Sequence, residues 1–455
     1  MFIARENELK QLNALLEESN KAIVVYGKRR IGKTALIKKA IQSCSKPYVY
    51  FECVNTTMEN NVALFVEELK KVVDIKPYIT FKTLFDVFNY IKDSGLSINI
   101  VFDEYPYLKE FNDAKYVDSL FQNIVDNYLD NLNLIICGSQ VRMMEDLLVE
   151  NNPLFGRFNC VLRLREMDYL DAAKFYQEKT TYDKIGFYAV FGGSPMALIN
   201  IRSTQDLKTN IINTFLNETS AIYNHADYVL ISDATNVLQA KRILQCLGNS
   251  KKKYSEIEDE LDKEKTGKIN RALKALQDLD IVRKVFPINK PNDVKKAYYE
   301  ISDNLMRFFY KYINPNRNDF VMLSAEAFYE KHIEPSLKTF ISYRFEDIVR
   351  TYYSLCSKKG LIKSISAIGT YYYDDVKNHK NGEFDVALEI DKKQYKIVEA
   401  KYYDKHPLKL SEMQKEVEQI KSIKEIEVKD IAFISTSGYE ESNFECLNID
   451  KLYSI

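Results

Sequence analysis

Residues 22–34 read Ala22-Ile-Val-Val-Tyr-Gly27-Lys-Arg-Arg-Ile-Gly32-Lys33-Thr34, and they decide the fold of the first half of the chain. The apolar run before Gly27 is typical of a buried strand, and the apolar spacing after Thr34 is typical of a helix. A strand, the pattern G-x-x-x-x-G-K-[ST] and a helix, in that order, form a phosphate-binding P-loop. The glycines let backbone N–H groups turn toward phosphate oxygens, and the helix presents its positive N-terminal end to the same anion.

The polar positions of this loop have predicted roles toward ATP and Mg²⁺. Lys33 reaches the β- and γ-phosphates, and the hydroxyl of Thr34 is a ligand for Mg²⁺. The candidate nucleotide-binding residues of the loop are Gly27, Arg30, Gly32, Lys33, Thr34 and Ala35. We therefore expect ATP and Mg²⁺ as cofactors.

A second apolar run, 98–102, ends in the paired carboxylates Asp103 and Glu104. A buried parallel strand delivers such acids at its carboxyl end, where open α/β sheets bind ligands. Asp103 is predicted to hold Mg²⁺ through its water shell. Glu104 is predicted to orient or deprotonate the attacking water as the catalytic base.

Two further positions have weaker sequence support. Ser139 lies just after the apolar run 132–137. A small polar residue at this strand end is predicted to contact the γ-phosphate or the attacking water. The alternative is a turn that its hydroxyl only caps. Arg157 lies on the glycine turn Asn152-Pro-Leu-Phe-Gly-Arg. It is predicted to be a catalytic finger that stabilises phosphoryl charge, in cis or from a neighbour, with a plain surface charge as the alternative.

The composition sets bounds on the class of protein. The chain has 455 residues, 46% of them hydrophobic and 28% charged, with a net charge of −1. Its length predicts two or three domains, and the neutral balance confines any nucleic-acid site to a local patch. Seven scattered cysteines without a C-x-x-C pair argue against zinc and disulfides, and no apolar window is long enough for a membrane span or signal peptide. We expect a cytoplasmic protein without a membrane partner.

The segment 236–301 reads as three helices followed by a hairpin, which is typical of a winged helix-turn-helix. Its third helix carries a basic face that suits phosphate contacts. The basic residues of that face are Lys265, Lys268, Arg271 and Lys274. Acidic residues at 256 and 258–260 lie just upstream and would repel a nucleic-acid backbone, so the alternative is an internal regulatory clamp.

The last third of the chain carries a second candidate centre. Alternation in Glu383-Phe-Asp385-Val-Ala-Leu-Glu-Ile predicts a half-buried strand, and Glu399-Ala-Lys401 ends the next one. Period two directs Asp385, Glu399 and Lys401 to one spot, and a preceding helix adds Glu346. The pattern predicts a PD-(D/E)XK nuclease site in which Asp385, Glu399 and Glu346 hold Mg²⁺ and Lys401 activates water. The fold could also persist as a scaffold without activity.

These motifs together look like the archaeal-type ATPases of the STAND/AAA-like P-loop group. The resemblance covers about residues 1–230 and rests on motifs that occur in order: Arg5-Glu-x-Glu-Leu9, Gly27…Thr34, Phe102-Asp-Glu104, Gly138-Ser139, Pro153-Leu-Phe-Gly-Arg157 and Gly192-Gly-Ser-Pro195. It implies that Arg5 lies near the adenine, that Ser139 is a sensor, and that Gly192–Pro195 belongs to a helical lid. Gln140 departs from the expected small residue.

The C-terminal end resembles the nuclease-like domain that follows many archaeal-type ATPases. The matched positions are Glu346, Ile368-Gly369, Asp385, Glu399 and Lys401, and Tyr371-Tyr-Tyr stands where tryptophans are expected. The expected fold is α/β, with an AAA-like P-loop core (1–165), a helical lid (166–232), a winged helix-turn-helix (233–313) and a restriction-endonuclease-like domain (320–455).

Three functions are compatible with this organisation. The first is an ATPase coupled to DNA binding and Mg²⁺-dependent phosphodiester cleavage, with DNA as partner. The second is a STAND-type switch whose nuclease-like domain only binds. The third, a translocase, ranks below both because the only helicase-like motifs are the two Walker elements. Ring assembly is common among AAA-like ATPases, so a homo-oligomer stays open.

Overall fold

The structure is a computed structural model that describes residues 2–225, 229–230, 237–261, 266–375, 380–424 and 426–455. The chain divides into two compact units. Unit 1 comprises residues 2–166 together with Ser194–Met196, and unit 2 comprises Met167–Gly193 and the chain from Ala197 onward. The first boundary lies one residue from the predicted one at 165, whereas the predicted lid, winged-helix and nuclease-like segments share unit 2.

Unit 1 is built on a five-stranded parallel sheet in the order β2-β3-β4-β1-β5. Its strands are β1 Lys21–Tyr26, β2 Tyr48–Glu52, β3 Ile98–Asp103, β4 Leu132–Gly138 and β5 Cys160–Arg163. Successive residues of β1 alternate between two apolar cores, one on each face of the sheet. A strand covered on both faces reads as a continuous apolar run, which is why 22–26 carries no polar alternation.

Helices and short helical turns connect these strands. The helices are α1 Glu6–Glu17, α2 Lys33–Ser43, α3 Met58–Lys70, α4 Leu84–Asp93, α5 Ala114–Asn127 and α6 Val141–Glu145. The 3-10 turns are Tyr105–Lys109 and Asp146–Leu148. Thr83 and Asp86 form a capping box at the start of α4, which satisfies orphan backbone N–H groups there. Parallel order brings the carboxyl ends of β1, β3 and β4 to one edge, where the P-loop, Asp103 and Ser139 follow.

The first half of unit 2 is mainly helical. Its helices are α7 Tyr169–Ala173, α8 Thr181–Phe191, the end of α9 Pro195–Leu198, α10 Leu207–Phe215, α11 Val237–Leu247, α12 Tyr254–Glu260 and α13 Thr266–Asp278. A three-stranded antiparallel sheet follows the order β6-β8-β7, with β6 Lys252–Lys253, β7 Val282–Val285 and β8 Tyr298–Ile301. The apolar residues predicted for α11, such as Ile243 and Leu244, are buried.

The second half of unit 2 packs helices against a five-stranded mixed sheet. The helices are α14 Asn304–Phe308, α15 Arg317–Met322, α16 Ala325–Phe328, α17 Glu334–Lys358 and α18 Leu410–Ser422. Single π-helical turns, Phe309–Ile313 and Tyr329–Ile333, follow α14 and α16, and 3-10 turns lie at Val294–Lys296, Asn314–Asn316 and Ile449–Tyr453. The sheet order is β13-β12-β11-β10-β9, with β9 Ala367–Asp375, β10 Lys380–Asp391, β11 Gln394–Lys401, β12 Glu427–Ser435 and β13 Glu445–Leu447. Strands β9, β10 and β11 pair antiparallel, and β12 and β13 continue in parallel.

The predicted α/β class and parallel P-loop core are confirmed by the sheet of unit 1. In the part of the chain that the structure describes, no helix combines the length and apolar character that crossing a bilayer requires. The winged-helix and nuclease-like assignments within unit 2 stay predictions, although the predicted helix, hairpin and strand order is present. Lys265 lies outside the described residues.

Candidate functional site

The P-loop backbone requires both of its predicted glycines. Gly27 has a φ of +154°, and a Cβ there would lie 2.3 Å from the carbonyl oxygen of Leu164. Gly32 has a φ of +92° and stands at the N-terminal cap of α2. Residues other than glycine rarely adopt a backbone conformation with such a φ. Both glycines therefore shape the loop that leads into the helix. Arg30 also has positive φ, at +64°, and its side chain is exposed.

Lys33 and Thr34 begin α2 and point to two different partners. The buried Nζ of Lys33 donates to the carbonyl oxygens of Gly27 at 3.0 Å and Lys28 at 3.1 Å. A lysine ammonium has three donors, so one remains for a phosphate oxygen. The exposed Thr34 donates its hydroxyl to Oδ2 of Asp103 at 2.8 Å.

Asp103 is held by partners from three elements. Besides Thr34, its Oδ2 accepts a hydrogen bond from the hydroxyl of Tyr50 on β2, and its Oδ1 accepts from the N–H of Glu104 at 2.9 Å. Burial, together with the negative charge of Asp103, raises the pKa of Tyr50. Sequence analysis did not single out Tyr50. The only available signal was a tyrosine on a strand that neighbours β3 in a parallel sheet.

Glu104 is fixed by the residue predicted to be the sensor. Its φ of +53° is unusual for a side-chain-bearing residue, and such strain clusters at functional sites. Its Oε2 accepts hydrogen bonds from the backbone N–H of Ser139 at 3.1 Å and from the Ser139 hydroxyl at 2.8 Å. Ser139 is buried at the end of β4, which lies beside β3. The contact couples the carboxyl ends of β3 and β4.

The residues at this edge fit Mg²⁺-ATP. A hydroxyl and a carboxylate that already touch, Thr34 and Asp103, provide the oxygen ligands that Mg²⁺ prefers, with phosphates and waters completing its shell. A side chain at Gly27 would collide with the carbonyl oxygen of Leu164, so the backbone of the loop is open to an anion only with glycine there. Ala35 is exposed on the first turn of α2, as its predicted place next to the nucleotide requires.

Arg5 lies against the P-loop. This buried residue precedes α1 with a left-handed φ of +67°, and its guanidinium donates to the carbonyls of Ile31, at 3.4 Å, and Arg165. It also forms an ion pair with Glu8 at 3.0 Å. Pro195 reaches the same loop, because a Cβ on Gly32 would lie 3.6 Å from its Cγ. These contacts place both elements beside the loop, and their predicted roles toward adenine and in a lid stay predictions.

Arg157 is not brought to this cluster. Its Nε donates to both carboxylate oxygens of Asp126, at 2.9 and 3.1 Å, and its Nη1 donates to the carbonyl of Pro153 at 2.9 Å. A surface ion pair of this kind is the alternative that sequence analysis left open for this residue. A catalytic role in cis would require the side chain to leave Asp126, so the finger stays a prediction.

The second candidate centre lies on β10, β11 and α17 of unit 2. The antiparallel register pairs Ala387 of β10 with Ile397 of β11. Asp385 precedes this pair on β10 and Glu399 follows it on β11, and burial together with the charge of Asp385 raises the pKa of Glu399. Helix α17 packs against both strands and carries Glu346. Burial and the charge of Asp385 raise the pKa of Glu346 to about 8, and both carboxyl groups line the same cleft. The structure therefore brings Glu346, Asp385 and Glu399 into one region.

Neighbouring acids on α17 have opposite environments. Burial alone would raise the pKa of Asp347, yet Arg344, Arg283 and Arg350 hold it well below its usual range. Arg350 also donates to the backbone carbonyl of Asp385. Burial, followed by the charge of Glu383, raises the pKa of Asp385. One side of α17 thus faces acids and the adjacent side faces arginines.

Lys401 is engaged by two carboxylates. Its Nζ lies 3.2 Å from Glu399 and 2.8 Å from Glu416 of α18. Burial lowers the pKa of Lys401, but both carboxylates raise it and the net shift is upward. Burial also raises the pKa of Glu399. Glu416 was missed by sequence analysis.

The predicted metal ligands of this centre are not assembled as a chelate. Among the described residues, no three Asp, Glu, His or Cys side chains converge closely enough to hold a metal ion. Glu399 is directed to Lys401, and the Asp385 backbone is held by Arg350. The arrangement shown here does not fit a chelated Mg²⁺, and the metal role of Glu346, Asp385 and Glu399 stays a prediction.

The loop between β7 and β8, residues 286–297, packs on β9. The N–H of Ile288 donates to the carbonyl of Thr370 at 2.9 Å. Asn289 donates to the carbonyl of Tyr372 at 2.7 Å and accepts from its N–H at 3.2 Å. A Cβ on Gly369 would lie 2.7 Å from the Ile288 side chain, so glycine permits this close approach.

Comparison with known proteins identifies the first part of the chain. Residues 2–201 match the model of an ATPase domain predominantly from Archaea. This match supports an archaeal-type ATPase domain over these residues. A second model, described as archaeal and bacterial proteins of unknown function, matches residues 309–420 and assigns no activity to them.

Relatives extend beyond the ATPase domain. An uncharacterized protein of Methanocaldococcus jannaschii is 28% identical over 416 residues, which cover 89% of this chain and 88% of that protein. An uncharacterized ATP-binding protein of the same organism is 23% identical over 324 residues, covering 57% of this chain and 87% of its own length. A Walker-type ATPase of Pyrococcus abyssi has a similar fold, with a TM-score of 0.51, 17% identity, and coverage of 68% of this chain and 96% of its own.

Proposed function

We propose that this protein hydrolyses ATP and couples hydrolysis to DNA binding by unit 2. The observation that carries the ATPase part is the hydrogen-bonded Glu104–Ser139 pair beside Asp103 and Thr34. The bound Mg²⁺-ATP supplies an electrophilic γ-phosphate. Lys33 and the loop N–H groups hold the phosphates, Thr34 and Asp103 hold the cation, and Glu104 orients the attacking water with Ser139 fixing its carboxylate.

The basic face of α13 supports the DNA part of the proposal. Lys268, Arg271 and Lys274 are exposed there, in a spacing that suits phosphate contacts. Upstream repulsion is smaller than the sequence suggests because two of the acids are engaged. Glu260 pairs with Lys252, and Glu256 accepts from the N–H of Lys253.

The ATPase part is tested by Glu104→Gln, which keeps the shape but removes the base. We expect ATP turnover to fall at least about 100-fold while nucleotide affinity stays within about twofold, because general-base catalysis contributes that much to rate. The matched control is Glu67→Gln. Glu67 is exposed on α3, and this substitution removes only its surface ion pair with Lys70. Turnover that survives in Glu104→Gln would contradict the assignment of the base.

A second candidate function is phosphodiester cleavage by unit 2. It is favoured by Glu346 and Asp385 lining one cleft, by the charge of Asp385 acting on Glu399, and by Lys401 lying 3.2 Å from Glu399. The test is cleavage of plasmid and single-stranded DNA in Mg²⁺ or Mn²⁺, with and without ATP. Cleavage by the wild type that is lost in Lys401→Ala and Asp385→Ala would support it. ATP turnover without any cleavage would leave unit 2 as a binding module in an ATP-dependent switch.

A further inference from the structure

A large polar cleft opens in unit 2 beside the second candidate centre. It has a volume of about 860 Å³ and is walled by the turn after α11, by β7 and β8, by α17, and by parts of β9 and β10. Glu346 and Asp385 lie in its lining. Eight Lys and Arg side chains line the cleft against six Asp and Glu side chains. A cleft of this size holds one or two nucleotides.

Within the cleft, four guanidinium groups share only two carboxylates. The arginines are Arg283, Arg307, Arg344 and Arg350, and the carboxylates are those of Glu300 and Asp347. Arg283 bridges both acids, at 2.6 Å from Glu300 and 2.7 Å from Asp347. Over the whole lining, eight basic side chains against six acidic ones leave an excess of two positive charges. Buried charge without a partner is unfavourable, so such an excess marks a site for an anion.

Arg344 carries an unsatisfied donor in this cluster. Its side chain is 6% exposed, and its Nη1 lies 2.6 Å from Asp347. Its buried Nε has no hydrogen-bond partner among the residues that the structure describes. Buried polar groups are almost always hydrogen-bonded, so an orphaned donor on a cleft wall indicates a missing acceptor.

Lys311 provides a second donor in the lining of the same cleft. Its Nζ lies 5.8 Å from the ring centroid of Phe340, which precedes Arg344 by four residues on α17. Lys311 makes no ion pair within the described ranges, and burial lowers its pKa. It sits on the π-helical turn Phe309–Ile313, a local geometry that is frequent at functional sites.

We propose that this cleft binds a phosphate group through Lys311 and the Nε of Arg344, and that the phosphate belongs to a nucleic-acid strand. The inference rests on the DNA-binding part of the proposed function and locates it at a site other than α13. Arginine and lysine donors around an excess of positive charge are the chemistry that recognises phosphate. A strand is favoured over a free nucleotide because Lys284 and Lys358 also line the cleft and offer further cations for the next phosphodiester.

The test measures binding of a fluorescein-labelled 12-nucleotide single strand to the full chain from 50 to 200 mM KCl. In Lys311→Gln we expect affinity to fall about five- to tenfold, and the slope of log affinity against log salt to become shallower by about 0.7, as for one lost phosphate contact. Lys363→Gln is the matched control, because Lys363 is exposed and pairs only with Asp391 at the surface. Arg344→Lys, which keeps the charge but removes Nε, should lose about two- to fivefold; its melting temperature checks folding.

A second arm titrates CMP by calorimetry into the same variants. Loss of strand affinity in Lys311→Gln assigns a strand to the cleft, whereas loss of CMP binding alone assigns a free nucleotide. Unchanged binding of both ligands in both variants would overturn the proposal. ATP turnover is measured in each preparation. Strand binding then separates the two hypotheses. If the wild type binds no strand, the DNA part of the proposed function fails. If Lys311→Gln binds a strand like the wild type, only the cleft assignment fails.

Discussion

The nucleotide site of unit 1 and the arginine cluster of unit 2 organise charge in different ways. At the nucleotide site, strand ends and a glycine loop deliver each side chain, and backbone groups are partners of Lys33 and of the carboxylate of Glu104. In unit 2, Asp347 is stabilised by arginines from β7 and α17 that depend on one another. The backbone defines the first site, whereas the second depends on collective side-chain charge. Substitutions should therefore damage the two sites through different mechanisms.

Removal of one charge from the arginine cluster should produce the largest effect. In Asp347→Asn, three arginines lose their shared carboxylate inside a buried site, so we expect unit 2 to lose about 3–5 kcal/mol of stability. Urea unfolding followed by circular dichroism at pH 7 measures this loss.

Asp391→Asn is the control for this prediction. It removes a carboxylate of the same unit that pairs with Lys363 at the exposed surface, and surface pairs contribute less than about 1 kcal/mol. Equal losses in the two variants would show that the cluster is not collectively stabilised, and the contrast drawn between the two sites would then be wrong.

At the nucleotide site, a change to the backbone should cause the next largest loss of stability. In Gly27→Ala the added methyl meets the carbonyl oxygen of Leu164, so the loop must shift. We expect a stability loss of about 2–3 kcal/mol and at least about tenfold weaker ATP binding. Thermal unfolding and titration with a fluorescent ATP analogue measure the two effects.

Gly95→Ala separates steric conflict from conformational strain. Gly95 also has positive φ, at +62°, but nothing lies within 4 Å of its added methyl. We expect a loss of about 1 kcal/mol and unchanged ATP binding. If Gly27→Ala behaves in the same way, the close packing at Leu164 is not what determines the loop.

The smallest expected effect concerns pH. The pKa of Glu346 is about 8 in the folded chain, above its ordinary value of 4.5. The folded state therefore binds the extra proton between these values, and stability falls as pH rises through that window. Glu346→Gln removes this dependence, so its stability relative to wild type should increase by about 2 kcal/mol from pH 5 to about pH 6.5. Urea unfolding in EDTA at four pH values measures it; parallel curves would show that the pKa of Glu346 is not raised in the folded chain.

The nucleotide site was largely predictable because its geometry follows from local sequence. A glycine loop between a strand and a helix, and acids at the end of a parallel strand, have only one edge on which to meet. The structure accordingly joins Thr34 to Asp103. The two interpretations of Ser139 could not be separated from sequence, because the choice depends on the side-chain direction of Glu104 at the end of a neighbouring strand.

Unit 2 was predictable in its elements but not in its contacts. Strand alternation predicts Asp385, Glu399 and Lys401, and the structure has the two antiparallel strands β10 and β11 that carry them. The role of Asp347 depends on Arg283, which is 64 residues away, and no local pattern connects them. Glu416 was missed for a similar reason, since its contact with Lys401 depends on how α18 packs on the sheet. Tyr50 donates to Asp103 and Arg157 pairs with Asp126. Each of these partners lies on another element of unit 1, so local sequence does not reveal the contact.

The loop at 286–297 has a consequence for solubility. Strand β9 is the outer strand of its sheet, and an uncovered outer strand is a template for pairing with another chain. Ile288 and Asn289 occupy backbone groups of Thr370 and Tyr372 on that strand. The loop therefore protects the sheet against edge-to-edge aggregation. Any event that lifts it would expose a strand able to recruit a second molecule.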